Sequence, residues 1–273
     1  MSDAPPIKAI VADVDGTVVD SAKQVTARTQ KAVAELGRRG IAFAVISGRP
    51  PEGMRMLIEP LKLTTPITGF NGGAFTKPDM TVIEERLLAP EVAKQTYDFL
   101  KERKIDIWVY SEGKWLLLDP KAPHVDKEAR TVQFGPTVVN DFSHGLSVAH
   151  KIVGVSDDPE MLQSCEEEIQ GVLGEKAAAS LSQPYYLDIT HPQANKGDAV
   201  VTLAKLMGVT MDQVAVLGDS NNDVSMFKRS PLAIAMGNAS DSVKKQARFV
   251  TATNDAEGFA EALEKYFLDG KTP

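Results

Sequence analysis

The chain has 273 residues, 43% hydrophobic and 25% charged, and its 30 Lys and Arg against 37 Asp and Glu leave a formal charge of −7. That apolar content argues against intrinsic disorder, and the acidic balance argues against a nucleic-acid partner, whose phosphates call for a positive face. A single cysteine, Cys165, leaves no internal disulfide and no cysteine zinc cluster.

Residues 7–12 form a short run rich in Ile and Val, ended by Asp and Gly, which is the pattern of a strand buried on both faces. Residues 26–40 read as a helix capped by Thr26, with Val33 and Leu36 on one face and Gly40 as its stop. Residues 41–47 read as a second buried strand, and strand, helix and strand at this spacing make a parallel crossover unit. The last third repeats the style. A helix over 196–207 precedes a strand at 213–219, a short helix at 223–228 and a strand at 232–236. A helix at 240–246, a strand at 248–252 and a final helix at 256–267 follow.

The middle differs. Pro90 opens a helix whose Val92, Thr96, Phe99 and Leu100 share a face. Residues 105–119 read as two antiparallel strands around Gly113, followed by a strand at 150–156. A helix after Pro159 would carry Met161, Cys165, Ile169 and Val172 as a stripe, with Cys165 a small core residue; 177–182 and 185–190 would pair as strands. Trp108, Tyr110, Trp115, Tyr185 and Tyr186 fall on these strands and read as packing between sheet and helices. The expected architecture is α/β: a Rossmann-like parallel-sheet core split in sequence, residues 1–78 and 191–273, with an α+β module over 79–190 inserted into it. No apolar run approaches about 18 residues, and the opening MSDAPPIK has no basic segment followed by an apolar one. A soluble, reduced, cytoplasmic protein with no membrane partner is expected.

The chemistry-bearing residues sit where strands end. Asp13 and Asp15 follow the first strand, Ser47 the second, and Asp219 the strand at 213–219, with Asn222 and Asp223 opening the next helix. Singly, each suits a turn or a helix cap. Jointly, they fall at the carboxyl ends of parallel strands, where open sheets bind ligands. The chain has no G-x-x-x-x-G-K-[ST] loop, no G-x-S-x-G elbow and no H-E-x-x-H pair. DSNNDV imitates a calcium loop, but Val224 stands at its Gly position and Ser230 at its Glu position. Carboxylates without His or Cys suit a hard divalent ion, most naturally Mg²⁺.

DVDGT at 13–17, ISGR at 46–49, Lys196 in ANKGDA and GDSNND at 218–223 resemble the four motifs of the haloacid dehalogenase-like phosphatase superfamily. GFNGGA at 69–74, AIAMGNA at 233–239 and VTATNDAEGF at 250–259 are similar to its Cof-type sugar-phosphatase subfamily, whose large α/β cap falls where this chain has its insert. The resemblance implies Mg²⁺-dependent hydrolysis of a small phosphorylated metabolite, with Asp13 as nucleophile forming an aspartyl-phosphate. It implies Asp15 as the acid and base, and a metal held by Asp13, the backbone carbonyl of Asp15 and Asp219, with Asp223 orienting its shell. Val14, Ser47, Gly48, Lys196 and Asn222 would bind phosphate, while Arg49, Asn71 and Gly72 are candidates for the cleft. Ser47 stands where many relatives have Thr. Arg130, Asp188 and His191 of the insert are further groups able to reach a substrate. An Asp at position 15 favours hydrolysis or mutase chemistry over a long-lived phosphoenzyme. A sugar phosphomutase and a non-catalytic phosphometabolite-binding protein are therefore the alternatives; a monomer or homodimer is expected.

Overall fold

The structure, a computed structural model, describes residues 6–269. The leader reading of the first residues and the outer limits of the expected core fall partly outside that range. Five strands come first: β1 (Ala9–Asp13), β2 (Ala42–Ile46), β3 (Ile67–Gly69), β4 (Ala74–Thr76) and β5 (Val82–Glu85). Six follow in the middle: β6 (Asp106–Ser111), β7 (Lys114–Leu117), β8 (Thr137–Val138), β9 (Ala149–Val155), β10 (Ala178–Gln183) and β11 (Tyr186–Thr190). Three close the chain: β12 (Val214–Gly218), β13 (Leu232–Ala235) and β14 (Phe249–Val250).

One sheet has the order β14-β13-β12-β1-β2-β3-β4-β5, and its first six strands run parallel. All five residues of β1 are buried, because helices cover both faces. Ile10 and Ala12 pack with Leu36 of the helix Ala27–Arg38 and with Leu263 of the helix Gly258–Leu263, while Ala9 and Val11 pack with Leu203 of the helix Lys196–Leu206. Thr26 caps the first of these helices, accepting from the Thr29 N–H at 3.2 Å. The last helix is shorter than expected and continues as a π-helical turn over Glu264–Leu268.

The second sheet has the order β10-β11-β9-β6-β7-β8 and is antiparallel except at β7–β8. The insert begins later than residue 79. The strand β5 pairs with β4 as the eighth strand of the core sheet, so the first crossing lies beyond Glu85. Four exposed residues on a sheet edge leave no apolar alternation, and only backbone pairing defines that strand. The stripe of the helix Pro159–Leu173 is also rotated: Leu162, Cys165, Ile169 and Leu173 are buried, whereas Val172 is 51% exposed.

The aromatic residues lie on the sheet face away from the two long helices Pro90–Glu102 and Pro159–Leu173. Those helices cover Val109, Ile152, Leu187 and Ile189. Trp108, Tyr110, Trp115 and Tyr186 occupy the other face with Val125 of the helix Val125–Val132 and, from the core, Phe70 and Ala74. Phe70 joins the two sheets, its ring 5.7 Å from Tyr110 and 5.2 Å from the stacked His150. No helix among the described residues is long and apolar enough to cross a membrane.

His150 is buried at this junction, its Nε2 3.1 Å from Glu85 Oε2. Burial pushes the imidazole below its ordinary value of 6.5 despite Glu85 beside it. The unfolded chain therefore takes up a proton that the folded one resists, so stability is lost as pH falls through about 6.5. His150→Phe should remove that part of the loss. Urea midpoints measured at pH 7.5 and 5.5 should converge for the variant relative to wild type; parallel changes would contradict the assignment.

Candidate active site

Parallel pairing of β2, β1 and β12 brings three strand ends side by side. Asp13 is in register with Ile46, and Ser47 and Asp219 follow directly on their strands. Lys196 is the first residue of its helix, whose cap Asn195 accepts from the Asp198 N–H at 2.9 Å. That cap fixes the first turn so that Lys196 enters the core beneath Asp13. Its Nζ donates to Asp13 Oδ1 and to Asp223 Oδ1, each at 2.5 Å. Lys196 is 1% exposed, Asp13 4% and Asp223 0%. The other Asp223 oxygen accepts from the backbone N–H groups of Asp219 and Ser220 at 2.8 Å. Asp223 is therefore fully engaged within the protein and holds Lys196 and the 219–220 turn in place.

Three carboxylates face this one ammonium. Oxygens of Asp13, Asp219 and Asp223 lie within 4.8 Å of one another. Burial raises Asp13 well above the ordinary carboxylate range; Lys196 opposes the rise, and Asp223 and Asp219 add to it. Asp219 is pushed up to about 6, by burial first and then by Asp223. Burial alone would lower Lys196, but Asp13 and Asp223 outweigh it and hold the ammonium charged. The cluster thus lacks positive charge, and its all-oxygen donor set fits a hard divalent cation.

Asp15 is not part of that cluster through its carboxylate. Arg49 grips it with two bonds, Nε to Oδ2 at 2.6 Å and Nη2 to Oδ1 at 2.7 Å, and Lys23 adds a third at 2.6 Å. Burial would raise the Asp15 carboxyl, but these two cations hold it below the ordinary range. Arg49 is itself 4% exposed and anchored to the Gly53 carbonyl at 3.1 Å. Arg49 thus holds Asp15 and offers no free charge to the cleft.

The opposite rim is built from short polar groups. The Ser47 hydroxyl accepts from the Arg49 N–H at 3.1 Å, and the Ser47 carbonyl accepts from the Asn71 N–H at 2.8 Å. The Asn71 amide lies beside Gly48 and accepts from Asn222 Nδ2 at 3.3 Å. Asn71 thus joins Ser47, Gly48 and Asn222. Gly72 does different work: at φ +111° it packs on the helix after Lys196, where a Cβ would stand 2.7 Å from the Ala199 Cβ. The Val14 side chain is buried in the core, leaving only its backbone N–H for a ligand.

Sequence reasoning missed Lys23, Thr17 and Asn238 as contacts. The Thr17 hydroxyl donates to Asp219 Oδ1 at 3.3 Å, and Asn238 Nδ2 to Asp219 Oδ2 at 3.2 Å and to the Gly16 carbonyl at 2.9 Å. Thr17 and Asn238 lie inside the DVDGT and AIAMGNA runs, which carry the signal for both. Lys23 sits in an unpatterned loop at φ +61° and had no such signal.

A family model for haloacid dehalogenase-like hydrolases matches residues 10–263. The chain belongs to that family, in keeping with the Cof-type resemblance of its motifs, and it is a phosphatase. Among its relatives, a 5-amino-6-(5-phospho-D-ribitylamino)uracil phosphatase of Bacillus subtilis, YcsE, is 26% identical over 262 residues, 96% of each chain. The crystal structure of a haloacid dehalogenase-like hydrolase from Bacteroides thetaiotaomicron superposes with a TM-score of 0.88 at 30% identity, covering 96% of this chain and all of that one. The subclass IIB sugar phosphatase BT4131 shares the fold at 19% identity, with a TM-score of 0.83 over 96% of this chain and 99% of that one.

Gly218 offers a check on this geometry. A Cβ there would stand 2.4 Å from Asp223 Cγ, so Gly218→Ala must displace the carboxylate that seats Lys196. Such overpacking costs about 1–3 kcal/mol. A denaturant midpoint lowered to match, together with lost turnover, is expected; a variant as stable and active as wild type would contradict the placement of Asp223.

Proposed function

We propose that the protein hydrolyses small phosphorylated metabolites, sugar phosphates first among them, by transfer of the phosphoryl group to Asp13 and then to water. One observation carries this reading: a carboxylate at the end of the central strand, buried against a lysine and two further carboxylates, with donor groups on the facing rim. YcsE, named for a phosphorylated ribityl substrate, supports the choice of a small phosphorylated polyol or sugar.

In-line phosphoryl transfer needs a nucleophile, charge neutralisation and a proton for the leaving oxygen. Asp13 supplies the nucleophile. A carboxylate and a phosphate dianion about 4 Å apart repel by roughly 8 kcal/mol at an effective dielectric of about 20. Lys196 offsets part of this. Asp13, Asp219 and the Asp15 backbone carbonyl would hold Mg²⁺, whose charge would neutralise phosphate oxygens when bound. Ser47 and the N–H groups of Gly48 and Val14 would hold the non-bridging oxygens, with Asn222 at their edge.

Asp15 then serves both halves of the cycle. In the resting protein Arg49 and Lys23 keep it ionised, the form that takes a proton from the attacking water. A phosphate dianion arriving nearby raises its proton affinity, so it takes up a proton from solvent and passes it to the departing alcohol oxygen, and the carboxylate left behind then accepts the proton of the attacking water. Mutase chemistry shares the first step, and product isomerisation would reveal it.

Asp13→Asn keeps the shape of the side chain and removes the nucleophile. Turnover of p-nitrophenyl phosphate should vanish while the circular-dichroism melt stays cooperative, and a chelator should silence the wild type until Mg²⁺ is returned. Wild-type-like turnover in the variant would overturn the mechanism, and indifference to the chelator would overturn the cation assignment.

A further inference from the structure

Three successive residues at the cleft have left-handed backbones: Phe70 at φ +53°, Asn71 at +55° and Gly72 at +111°. Glycine adopts this region freely and asparagine tolerates it, but a bulky phenylalanine is strained there. The run is Gly69-Phe70-Asn71-Gly72-Gly73, so the residue least suited to that backbone holds the first left-handed position although glycines surround it. Such strain persists only where the surrounding structure over-determines it.

Two sets of contacts do so. Phe70 is 3% exposed, and its ring packs with the insert, edge-on to Tyr110 at 5.7 Å and stacked with His150 at 5.2 Å. Its backbone is fastened to the core: the Phe70 N–H donates to the Arg49 carbonyl at 2.9 Å, and the Asn71 N–H to the Ser47 carbonyl at 2.8 Å. A Cβ on Gly69 would stand 2.5 Å from Pro51 Cδ and 2.9 Å from the Arg49 carbonyl, so the turn enters hard against the 47–51 loop. At its far end the Gly73 carbonyl accepts from the Arg86 N–H at 2.7 Å, on the first crossing into the insert.

The two side chains of the strained pair therefore serve different partners. The insert holds the Phe70 ring, while the Asn71 amide accepts from Asn222 Nδ2 and lies beside Gly48. Because the backbone on either side is pinned, a shift of the ring must be taken up within one peptide unit of that amide. We propose that Phe70 is a positioning residue: by gripping its ring, the insert holds the left-handed turn that sets Asn71 at the phosphate-binding rim. The rim is complete only while the insert is seated on the core. This assignment rests on the phosphatase reading above, from which it takes the rim as the phosphate site.

Binding of inorganic phosphate, measured by calorimetric titration with Mg²⁺ present, reads the rim without turnover. Phe70→Leu keeps apolar bulk but loses the ring contacts, and should weaken phosphate binding by about five-fold. Asn71→Gly removes the amide, tolerates the same φ, and should weaken binding at least as much. The double variant should bind within about two-fold of Asn71→Gly, because Phe70 acts through Asn71. Losses that multiply in the double variant, or wild-type affinity in Phe70→Leu, would overturn the proposal. A variant of the insert guards against a misfolded turn: Tyr110→Leu should reproduce the loss with every residue of the turn intact, and Tyr110→Phe, which keeps the ring, should bind as wild type does. Equal losses in the two Tyr110 variants would overturn the proposal, tracing the effect to the Tyr110 hydroxyl and its bond to Glu128. Turnover of p-nitrophenyl phosphate separates the two readings. Hydrolysis with phosphate binding indifferent to Phe70 would refute the positioning role alone; the expected binding pattern in a protein that hydrolyses no ester would refute the hydrolysis alone.

Discussion

The ammonium of Lys196, shut away from solvent between Asp13 and Asp223, is the interaction on which the rest of the molecule depends. It joins residues 183 and 27 positions apart in the chain, and so ties the two sequence-distant halves of the core at one point. Removing one partner from a buried ion pair typically costs about 3–5 kcal/mol, because the remaining charge is stranded. Asp223 explains why the arrangement holds: its second oxygen is engaged by the backbone of the turn that also presents Asp219. Asp13, Asp219 and Lys196 are thereby positioned by a single network.

That network is not neutral. One ammonium against three carboxylates leaves Asp13 and Asp219 with raised proton affinity, a strain that a bound cation would relieve. Asp15, two residues from Asp13, belongs to a different electrostatic neighbourhood and is held ionised by Arg49 and Lys23. The two carboxyl groups, two positions apart, are thus pushed in opposite directions, Asp13 up by burial and like charges and Asp15 down by two cations.

Much of this was legible in the sequence, for physical reasons that differ by element. The strands β1, β2, β12 and β13 are buried on both faces and read as unbroken apolar runs; the residues that follow β1, β2 and β12 are then forced to one edge. Lys196, Asp13, Asp219 and Asp223 could be named from their runs of sequence. Their mutual geometry could not, since Asn195 capping and the Gly218 contact set it. The strands β3 and β4 have three residues each and β5 is wholly exposed, so no periodicity marks them, and the boundary of the insert moved with β5. The pairing of Arg49 with Asp15 spans 34 positions and no local pattern encodes it. The aromatic residues of the insert were readable as packing, but their face was not, because it depends on Phe70 from the other sheet.

Lys196 is the charge that makes the carboxylate cluster tolerable. The most direct measurement is the stability of Lys196→Met as a function of pH. Without the ammonium, the folded cluster holds protons that the unfolded chain releases, so stability must fall as pH rises. The slope should exceed that of wild type by up to about 1.4 kcal/mol per pH unit for each extra proton held. Urea midpoints taken from pH 5 to 8 should show this steeper decline in the variant. Parallel curves for the two proteins would contradict the account.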